Sequence, residues 1–275
     1  MRVLDLFSGI GGFSLGLERA GFETVAFCEI DKKAQQVLRK HWPHVPIFTD
    51  VKTLTGETLR EHGISVDVIC GGFPCQDISV AGKGAGIEGE RSGLWSEFAR
   101  LIGELRPQYA IVENVSALLN RGLDRVLGDL SEIGYDAEWH CIPASAVGAP
   151  HRRDRIWILA YPSIDEGRSL AVGGGSLDAG AKGGNLRGVS VAHRRGQPKP
   201  EAEILAYPRR VPAQIPFERE LSTIQIADGS GWWETEPDVG RVADGVPGRV
   251  DRLKQLGNAV VPQIPELIGR AILSC

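Results

Sequence analysis

Cysteine is scarce in this sequence and is not arranged to build a disulfide framework or a zinc site. The five cysteines are an odd number, and no two of them are separated by only two residues. Disulfide-rich domains and structural zinc sites use paired cysteines, and unpaired ones are typical of proteins in a reducing cytosol. We therefore expect neither disulfides nor a bound metal.

Long apolar runs are also missing. None approaches the roughly 18 residues that a membrane-spanning helix needs. Residues 1–5 enter a predicted strand directly and do not have the layout of a signal peptide. These two observations predict a protein without a membrane partner.

Basic residues are not in excess over the whole chain. The net charge is −4, which taken alone disfavours a nucleic-acid partner. Residues 168–200, however, carry six lysines and arginines and a single acid. Because a local basic segment can attract a polyanion whatever the total charge, this stretch keeps nucleic acid among the possible partners.

What the sequence does contain is a regular alternation of apolar and amphipathic runs over its first 160 residues. This alternation predicts a doubly wound α/β fold with a mostly parallel sheet covered by helices on both faces. The predicted strands are 2–7, 24–28, 45–48, 66–70, 109–112, 135–142 and 155–161. The predicted helices are 13–20, 32–41, 55–62, 94–105 and 118–133, and a further one begins near 262.

The most distinctive motif follows the strand 66–70, where Pro74, Cys75 and Gln76 lie in a glycine-rich turn. A cysteine on a rigid turn at the end of a strand is presented as a nucleophile, although lone cysteines are more often buried apolar residues. Glu113 follows another predicted strand. A carboxyl group in a dry pocket can stay protonated and donate to a substrate nitrogen, whereas an acid that only begins a helix would have no such role.

A second motif joins the first strand to the first helix, from Asp5 to Phe13. Its glycines let a ligand approach the backbone, but their spacing is not the Gly-x-Gly-x-x-Gly of dinucleotide sites. Glu29, at the end of the second strand, is placed to accept from ribose hydroxyls. Asp50 follows the third strand and is placed to accept from an adenine amino group. Both acids could instead be helix caps, with Gly11 and Gly12 forming a packing turn.

Taken together and in this order, the motifs resemble those of the cytosine-C5 DNA methyltransferases of the small bacterial or prophage type. The resemblance covers residues 1–160 and resumes at 256–263. Phe73-Pro74-Cys75-Gln76 is similar to the nucleophile loop of that family, Glu113-Asn114-Val115 to its Glu-Asn-Val motif, and Arg153-x-Arg155 to its substrate-orienting arginines.

The resemblance implies S-adenosyl-L-methionine as the cofactor and a flipped cytosine in double-stranded DNA as the substrate. Cys75 would add to C6, Glu113 would bind the N3/N4 edge, and Arg155, with Arg153 as a second partner, would orient the base. The implied cofactor-binding residues are Asp5, Phe7, Ser8, Gly9, Gly11, Gly12, Glu29, Ile30, Asp50, Val51, Pro74, Leu94, Asn258 and Ala259. The implied DNA-binding residues are Gln76, Ser79, Lys83, Arg194, Arg195, Arg209 and Arg210.

The resemblance also divides the chain. Residues 1–161 would be the catalytic and cofactor-binding domain, 162–245 a small irregular target-recognition lobe, and 246–275 a segment that packs back on the catalytic domain. We expect a monomeric cytoplasmic protein, in a bacterial cytosol or a phage-infected cell, that belongs to a restriction-modification system.

Two departures and two alternatives accompany this interpretation. His151 stands where the family usually has glutamine, and the arginine-containing segment 249–253 nearly abuts Gly257-Asn258. A tRNA cytosine-C5 methyltransferase would use the same residues. That family has a motif resembling Pro-Pro-Cys at the nucleophile, whereas Phe73 precedes Pro74 here, which favours DNA. A catalytically inactive DNA-binding regulator on the same fold is disfavoured, since the three reactive side chains are intact.

Overall fold

A computed structural model of the protein describes residues 1–74, 94–163 and 255–274. All of these residues belong to one compact unit. Within them, no helix is long and apolar enough to cross a membrane. The proposed division of the chain at 161 and 245 stays a prediction, because the neighbouring segments lie outside the described ranges.

The described residues form one sheet with the strand order β3-β2-β1-β4-β5-β7-β6. The strands are β1 (Arg2–Leu6), β2 (Glu23–Cys28), β3 (Ile47–Phe48), β4 (Val68–Gly72), β5 (Tyr109–Val115), β6 (Tyr135–Pro143) and β7 (Asp154–Pro162). The first five strands are parallel to one another, while β7 runs antiparallel between β5 and β6. The predicted doubly wound, mostly parallel α/β fold is therefore confirmed.

The topology opens a crevice between β1 and β4. The chain proceeds from β1 to β2 on one side and reaches β4 on the other, so connections leave these two neighbouring strands in opposite directions. In open α/β sheets, ligands bind at such a point, outside the carboxyl ends of the strands. The glycine-rich loop after β1 and the Phe73-Pro74 segment after β4 both lie at this edge.

Helices connect the strands and begin at polar caps where the sequence offers one. They are α1 (Gly12–Ala20), α2 (Lys32–His41), α3 (Gly56–Glu61), α4 (Leu94–Leu105), α5 (Leu123–Glu132) and α6 (Gln263–Ser274). Asp31 caps α2 by accepting from the amide of Lys33, and Thr55 caps α3 by accepting from that of Thr58. These bonds satisfy amides that have no partner inside the helix.

The predicted helix 118–133 is wrong in part, because two elements occupy this range. A 3₁₀ helix covers Ser116–Asn120, and α5 starts only after Gly122, whose φ of 141° interrupts the helical backbone. The strand before them is longer than expected, since β5 continues through Val115. Glu113 consequently lies within a strand rather than beyond its end.

Each face of the sheet carries its own hydrophobic cluster. One contains Phe98 and Ile102 of α4 together with Val126 of α5, all fully buried. The other joins Leu17 of α1 to Ile268 of α6. Burying one side chain of this size stabilises a fold by about 1.5–3 kcal/mol. The C-terminal helix is thus part of the core although it is far from the other elements in sequence.

Helices α1 and α6 meet through small residues. A Cβ atom on Gly16 would overlap the carbonyl oxygen of Pro262, and one on Gly269 would lie 2.8 Å from Cβ of Ala20. Glycine at these positions lets the backbones approach more closely than any other residue allows. The close approach brings residues 259–262 to the start of α1, beside the glycine-rich loop.

Candidate active site

The loop after β1 turns sharply at the edge of the sheet. Phe7, Gly9 and Gly11 have φ angles of 54°, 54° and 85°, in the left-handed region that favours glycine. A Cβ atom on Gly11 would lie 2.6 Å from the ring of Trp42, so glycine is required there, while one on Gly9 would meet no atom within 4 Å. The backbone at Gly9 therefore faces open space.

Glu29 holds this loop in place. Its Oε2 accepts from the amide of Gly9 at 2.7 Å and its Oε1 from the amide of Asp31 at 2.7 Å. The residue is buried, but its neighbour Ile30 has 76% of its surface exposed, which is unusual for so apolar a side chain. Because a carboxylate oxygen has two lone pairs, each oxygen of Glu29 can still accept from a ligand hydroxyl.

Asp50 begins a tight turn after β3. Its Oδ1 accepts from the amide of Lys52 at 2.9 Å, and its carbonyl oxygen accepts from the amides of Thr53 and Leu54. The side chain is half-buried at the edge of the sheet, whereas Val51 points into the core. Asp50 therefore caps no helix, since Thr55 caps α3, but its side chain closes the turn and leaves the second carboxylate oxygen available for a ligand.

Asp5 lies beneath the glycine-rich loop and has no exposed surface. Its Oδ2 accepts from the hydroxyl of Ser14 at 2.7 Å, and it is aligned with Cys70 on the neighbouring strand. Burial raises the pKa of Asp5 to about 8, with Glu29 and Glu18 adding to the effect and the Ser14 bond opposing it. Asp5 thus supports the loop from the interior, and Ser8 does so too by donating to the Asp5 carbonyl at 2.6 Å.

Glu113 and Arg155 form an ion pair at the carboxyl edge of β4 and β5. Nε of Arg155 donates to Oε1 of Glu113 at 2.9 Å, and 14% of the Glu113 side chain is exposed. Gly72 on β4 is aligned with Glu113 on β5, and a Cβ atom on Gly72 would lie 2.6 Å from Oε2 of Glu113. Burial raises the pKa of Glu113, although the charges of Arg155 and Arg153 oppose it.

Asn114 connects this ion pair to the segment that leads to Cys75. Its Nδ2 donates to the carbonyl oxygen of Phe73 at 3.1 Å, and its Oδ1 accepts from the amide of Val115 at 2.8 Å. The side chain is 2% exposed. The sequence placed Asn114 in the Glu-Asn-Val motif but gave it no role of its own, although its place directly after Glu113 was a signal that it belongs to the site.

The spacing Arg153-x-Arg155 predicts that both side chains lie on one side of a strand, because side chains alternate along it; this prediction is wrong, since Arg153 lies outside the strand. Strand β7 starts at Asp154, and Arg153 precedes it with a φ of 42°. Its Nη2 donates to the carbonyl oxygen of Ala259 at 2.7 Å. Burial and the charge of Arg155 lower the pKa of Arg153, while Glu113 opposes the change. Arg153 therefore lies near the ion pair but binds the C-terminal segment.

That segment also contacts the glycine-rich loop. A Cβ atom on Gly12 would lie 2.6 Å from the carbonyl oxygen of Val260. Asn258 is exposed and Ala259 half-buried. The structure thus brings the two ends of the family resemblance together at one edge of the sheet, as the predicted cofactor set requires.

Several predicted site residues lie outside the described ranges. One described range ends at Pro74, one residue before the proposed nucleophile, and the next begins at Leu94, the half-buried first residue of α4. The predicted residues beyond these limits are Cys75, Gln76, Ser79, Lys83, Arg194, Arg195, Arg209 and Arg210. Their roles stay predictions.

Sequence reasoning missed a further residue, Arg100 on α4. Its guanidinium bonds to Glu97 and Glu104 and also to the carbonyl oxygens of Val51 and Leu54, in the turn that follows Asp50. An arginine between two glutamates on a helix usually indicates a solvated ion pair. The sequence therefore gave no indication that Arg100 bonds to the turn after Asp50.

Comparison with known proteins gives the same picture. The family model described as C-5 cytosine-specific DNA methylase matches residues 1–168. The type II methyltransferase M2.BsuMI of Bacillus subtilis (strain 168) is 32% identical over 301 aligned residues, which cover 98% of this chain and 74% of that protein. The type II methyltransferase M.HhaI of Haemophilus parahaemolyticus is 33% identical over 165 residues, covering 58% of this chain and 49% of that protein.

A solved structure described as a prophage-encoded DNA modification methyltransferase of E. coli aligns with a TM-score of 0.51 and 30% identity. The alignment covers 59% of this chain and 47% of that one. The chain thus spans about half the length of this protein and of M.HhaI, but most of the length of M2.BsuMI. Since the family model matches more than half of the chain and M2.BsuMI matches nearly all of it, this chain belongs to the C-5 cytosine-specific DNA methylase family, whose enzymes use S-adenosylmethionine as methyl donor.

Proposed function

We propose that this protein is a DNA (cytosine-5-)-methyltransferase that acts on a flipped cytosine through a covalent bond to Cys75. The observation that carries the proposal is the ion pair of Glu113 and Arg155 at 2.9 Å, beside the strand end from which Phe73 and Pro74 lead to that cysteine. The pair combines a largely buried carboxyl group with a fixed cation, and Glu113 is aligned with Gly72, three residues before Cys75 in the sequence.

The edge of the sheet fits S-adenosylmethionine. Open space beside Gly9 admits a ligand close to the backbone, and Glu29 keeps lone pairs for two ribose hydroxyls. The exposed side chain of Ile30 offers an apolar surface to a purine ring, and Asp50 can accept from its amino group. The bound cofactor would supply an electrophilic methyl group on a sulfonium.

The chemistry begins at C6 of the cytosine. The reacting carbons are inside the stacked duplex, so the base must leave the stack before a side chain can reach it. The thiolate of Cys75 adds to C6, the C5–C6 double bond shifts to C4–C5, and N3 takes up a proton, so that C5 becomes the electron-rich carbon of an enamine. C5 is then able to attack the methyl group. Removal of the C5 proton by a base, with departure of the thiolate, restores the double bond.

Glu113 is suited to stabilise the base while the adduct exists. Because burial raises its pKa, it holds a proton more readily than an exposed glutamate and can donate it towards N3. Arg155 fixes the carboxyl group by its bond to Oε1 and places positive charge close to the base. Removing either side chain would leave the other partly buried without this partner.

Double-stranded DNA is the proposed substrate, and residues 162–245 are the proposed target-recognition region. Support comes from the relatives, since M2.BsuMI and M.HhaI are named as type II methyltransferases. We infer that the protein modifies DNA within a restriction-modification system and acts as a monomer.

A labelled-methyl assay tests the proposal. The protein is incubated with S-adenosylmethionine that carries a tritiated methyl group, together with either unmethylated genomic duplex DNA or unmodified tRNA. We expect label in DNA, at cytosines that bisulfite sequencing then identifies. Label in tRNA alone would overturn the DNA assignment.

A trapping assay tests the covalent step separately. Duplexes in which 5-fluorocytosine replaces cytosine should retain the protein as a complex that survives denaturation, because fluorine at C5 cannot leave as a proton. Cys75→Ser should form no such complex. A wild-type protein that binds the cofactor but gives no complex would favour the DNA-binding regulator instead.

A further inference from the structure

The turn that follows Asp50 is held from outside by an arginine on α4. Nη2 of Arg100 donates to the carbonyl oxygen of Val51 at 3.0 Å and to that of Leu54 at 2.9 Å. Both carbonyls belong to a short turn that begins with the carbonyl of Asp50 accepting from Thr53 and Leu54. Carbonyls at the end of such a turn lack backbone partners, so the guanidinium supplies the missing donors.

Arg100 is itself fixed by two glutamates on its own helix. Its Nε donates to Glu97 at 2.7 Å and its Nη1 to Glu104 at 2.7 Å. The second oxygen of Glu104 accepts from the amide of Gly56 at 2.9 Å, at the start of α3. Exposed helix pairs of this kind contribute little stability by themselves. Here the guanidinium has enough donors to bond both glutamates and both carbonyl oxygens at once. The two ion pairs therefore fix the arginine that holds the turn.

The supported turn places the carboxyl group of Asp50. Its Oδ1 is used by the amide of Lys52, whereas Oδ2 has no hydrogen-bond partner among the described residues. Oδ2 is therefore the atom that can meet a ligand donor, and its position depends on the backbone of residues 50–54. Arg100 touches that backbone at two points but does not touch the Asp50 side chain.

We propose that Arg100 is a positioning residue that acts through the 50–54 turn to set the carboxyl group of Asp50 against the amino group of the cofactor adenine. The inference rests on the proposed cofactor site. It assigns to α4 a part in cofactor recognition through a side chain on the opposite side of the turn from the ligand.

The test compares two nucleosides that differ at one group. S-adenosylhomocysteine carries the purine amino group, and S-inosylhomocysteine has an oxygen in its place. Calorimetric titration of the full chain with each, without DNA, gives the preference for the amino group. We expect Arg100→Met to weaken S-adenosylhomocysteine binding about tenfold, a typical effect of losing one well-placed hydrogen bond, and to leave S-inosylhomocysteine binding within about twofold.

Two further variants separate positioning from stability and charge. Arg100→Lys keeps the charge but cannot reach both carbonyls while bonding both glutamates, so it should lose the same preference. If Arg100→Met does not fold, Arg100→Lys alone decides the question. Arg270→Met removes an arginine of the same kind, paired with Glu266 four residues earlier on α6 at 2.8 Å, and should leave both affinities unchanged.

A double variant tests whether the effect passes through Asp50. Asp50→Asn should lose the preference by itself, and adding Arg100→Met should weaken binding by no more than about twofold further, because coupled residues are not additive. Equal losses for both nucleosides, or additive losses, would overturn the positioning role. A wild-type chain that bound neither nucleoside, or both equally, would instead overturn the proposed adenine site, and this inference with it.

Discussion

The side-chain amide of Asn114 donates to the backbone carbonyl of Phe73 at 3.1 Å. The two residues lie on neighbouring parallel segments. Asn114 comes one residue after Glu113, and Phe73 comes two residues before Cys75. The bond therefore links the carboxyl group proposed to bind the base to the backbone that presents the proposed nucleophile. Its donor is buried, so water cannot replace it without cost.

Replacing Asn114 by aspartate should slow formation of the 5-fluorocytosine complex by about 10- to 100-fold, as expected for a buried acceptor that loses its donor. A carboxylate cannot donate to the Phe73 carbonyl and would repel it. Cofactor-product binding should stay within about threefold, because Asn114 lies on the other side of the crevice. Asn120→Asp, at the exposed end of the 3₁₀ helix, is the control. A folded Asn114→Asp protein that traps DNA at the wild-type rate would exclude the link.

Cys75→Ala should abolish methyl transfer while S-adenosylhomocysteine affinity changes by less than about threefold, because the thiol is proposed to touch only the base. Cys141→Ala, which removes an exposed thiol on β6, should retain full activity. Loss of cofactor binding in step with activity would contradict the role assigned to Cys75.

Asp5→Asn should change how stability depends on pH. The folded protein keeps a proton on Asp5 up to a pKa of about 8, whereas the unfolded chain releases it near 3.8. Between these values, raising the pH costs the wild type stability, by at most about 1.4 kcal/mol per pH unit. The asparagine variant lacks this loss, so its stability relative to the wild type should rise from pH 4 to pH 8 and then level off.

Urea unfolding at pH 5, 7 and 9 measures this difference. A constant difference between Asp5→Asn and the wild type across the range would mean that Asp5 is charged in the folded protein.

Gly16→Ala should destabilise the protein by about 1–3 kcal/mol, the usual cost of forcing an extra methyl group into a packed interface. Its Cβ would overlap the Pro262 carbonyl and push α6 away from α1. Gly128→Ala is a matched control in α5, where the new Cβ would meet no atom within 4 Å. There the lower flexibility of alanine should stabilise the helix by about 0.5–1 kcal/mol. If both substitutions raised the free energy of unfolding, α1 and α6 would not pack closely in solution.

The strand and helix pattern could be predicted because it depends on local periodicity. Glu29 and Asp50 could be placed at the correct edge for the same reason, since each follows a parallel strand. The reversed direction of β7 was not visible, because an antiparallel strand beside a parallel one has the same apolar pattern. The position of Arg153 could not be derived from alternation along a strand for another reason, since this residue precedes β7 with a φ of 42°.

Contacts between distant segments escaped prediction for a different reason. The bonds of Arg100 to Val51 and of Arg153 to Ala259 join residues that are far apart in sequence, and no local preference indicates them. The break at Gly122 was also missed, since a single glycine in an amphipathic run is compatible with a continuous helix. The sequence therefore indicated candidate reactive residues, but not the residues that hold them in place.

The packing of α6 on α1 has a consequence for how the protein is made. The apolar face of α1 emerges early in synthesis, but the helix that covers it begins about 240 residues later. At the usual rates of translation, that face waits roughly 12 to 50 s for its partner. During this interval Leu17 and its neighbours are exposed to other chains and to chaperones, so the nascent protein stays vulnerable to aggregation until α6 leaves the ribosome.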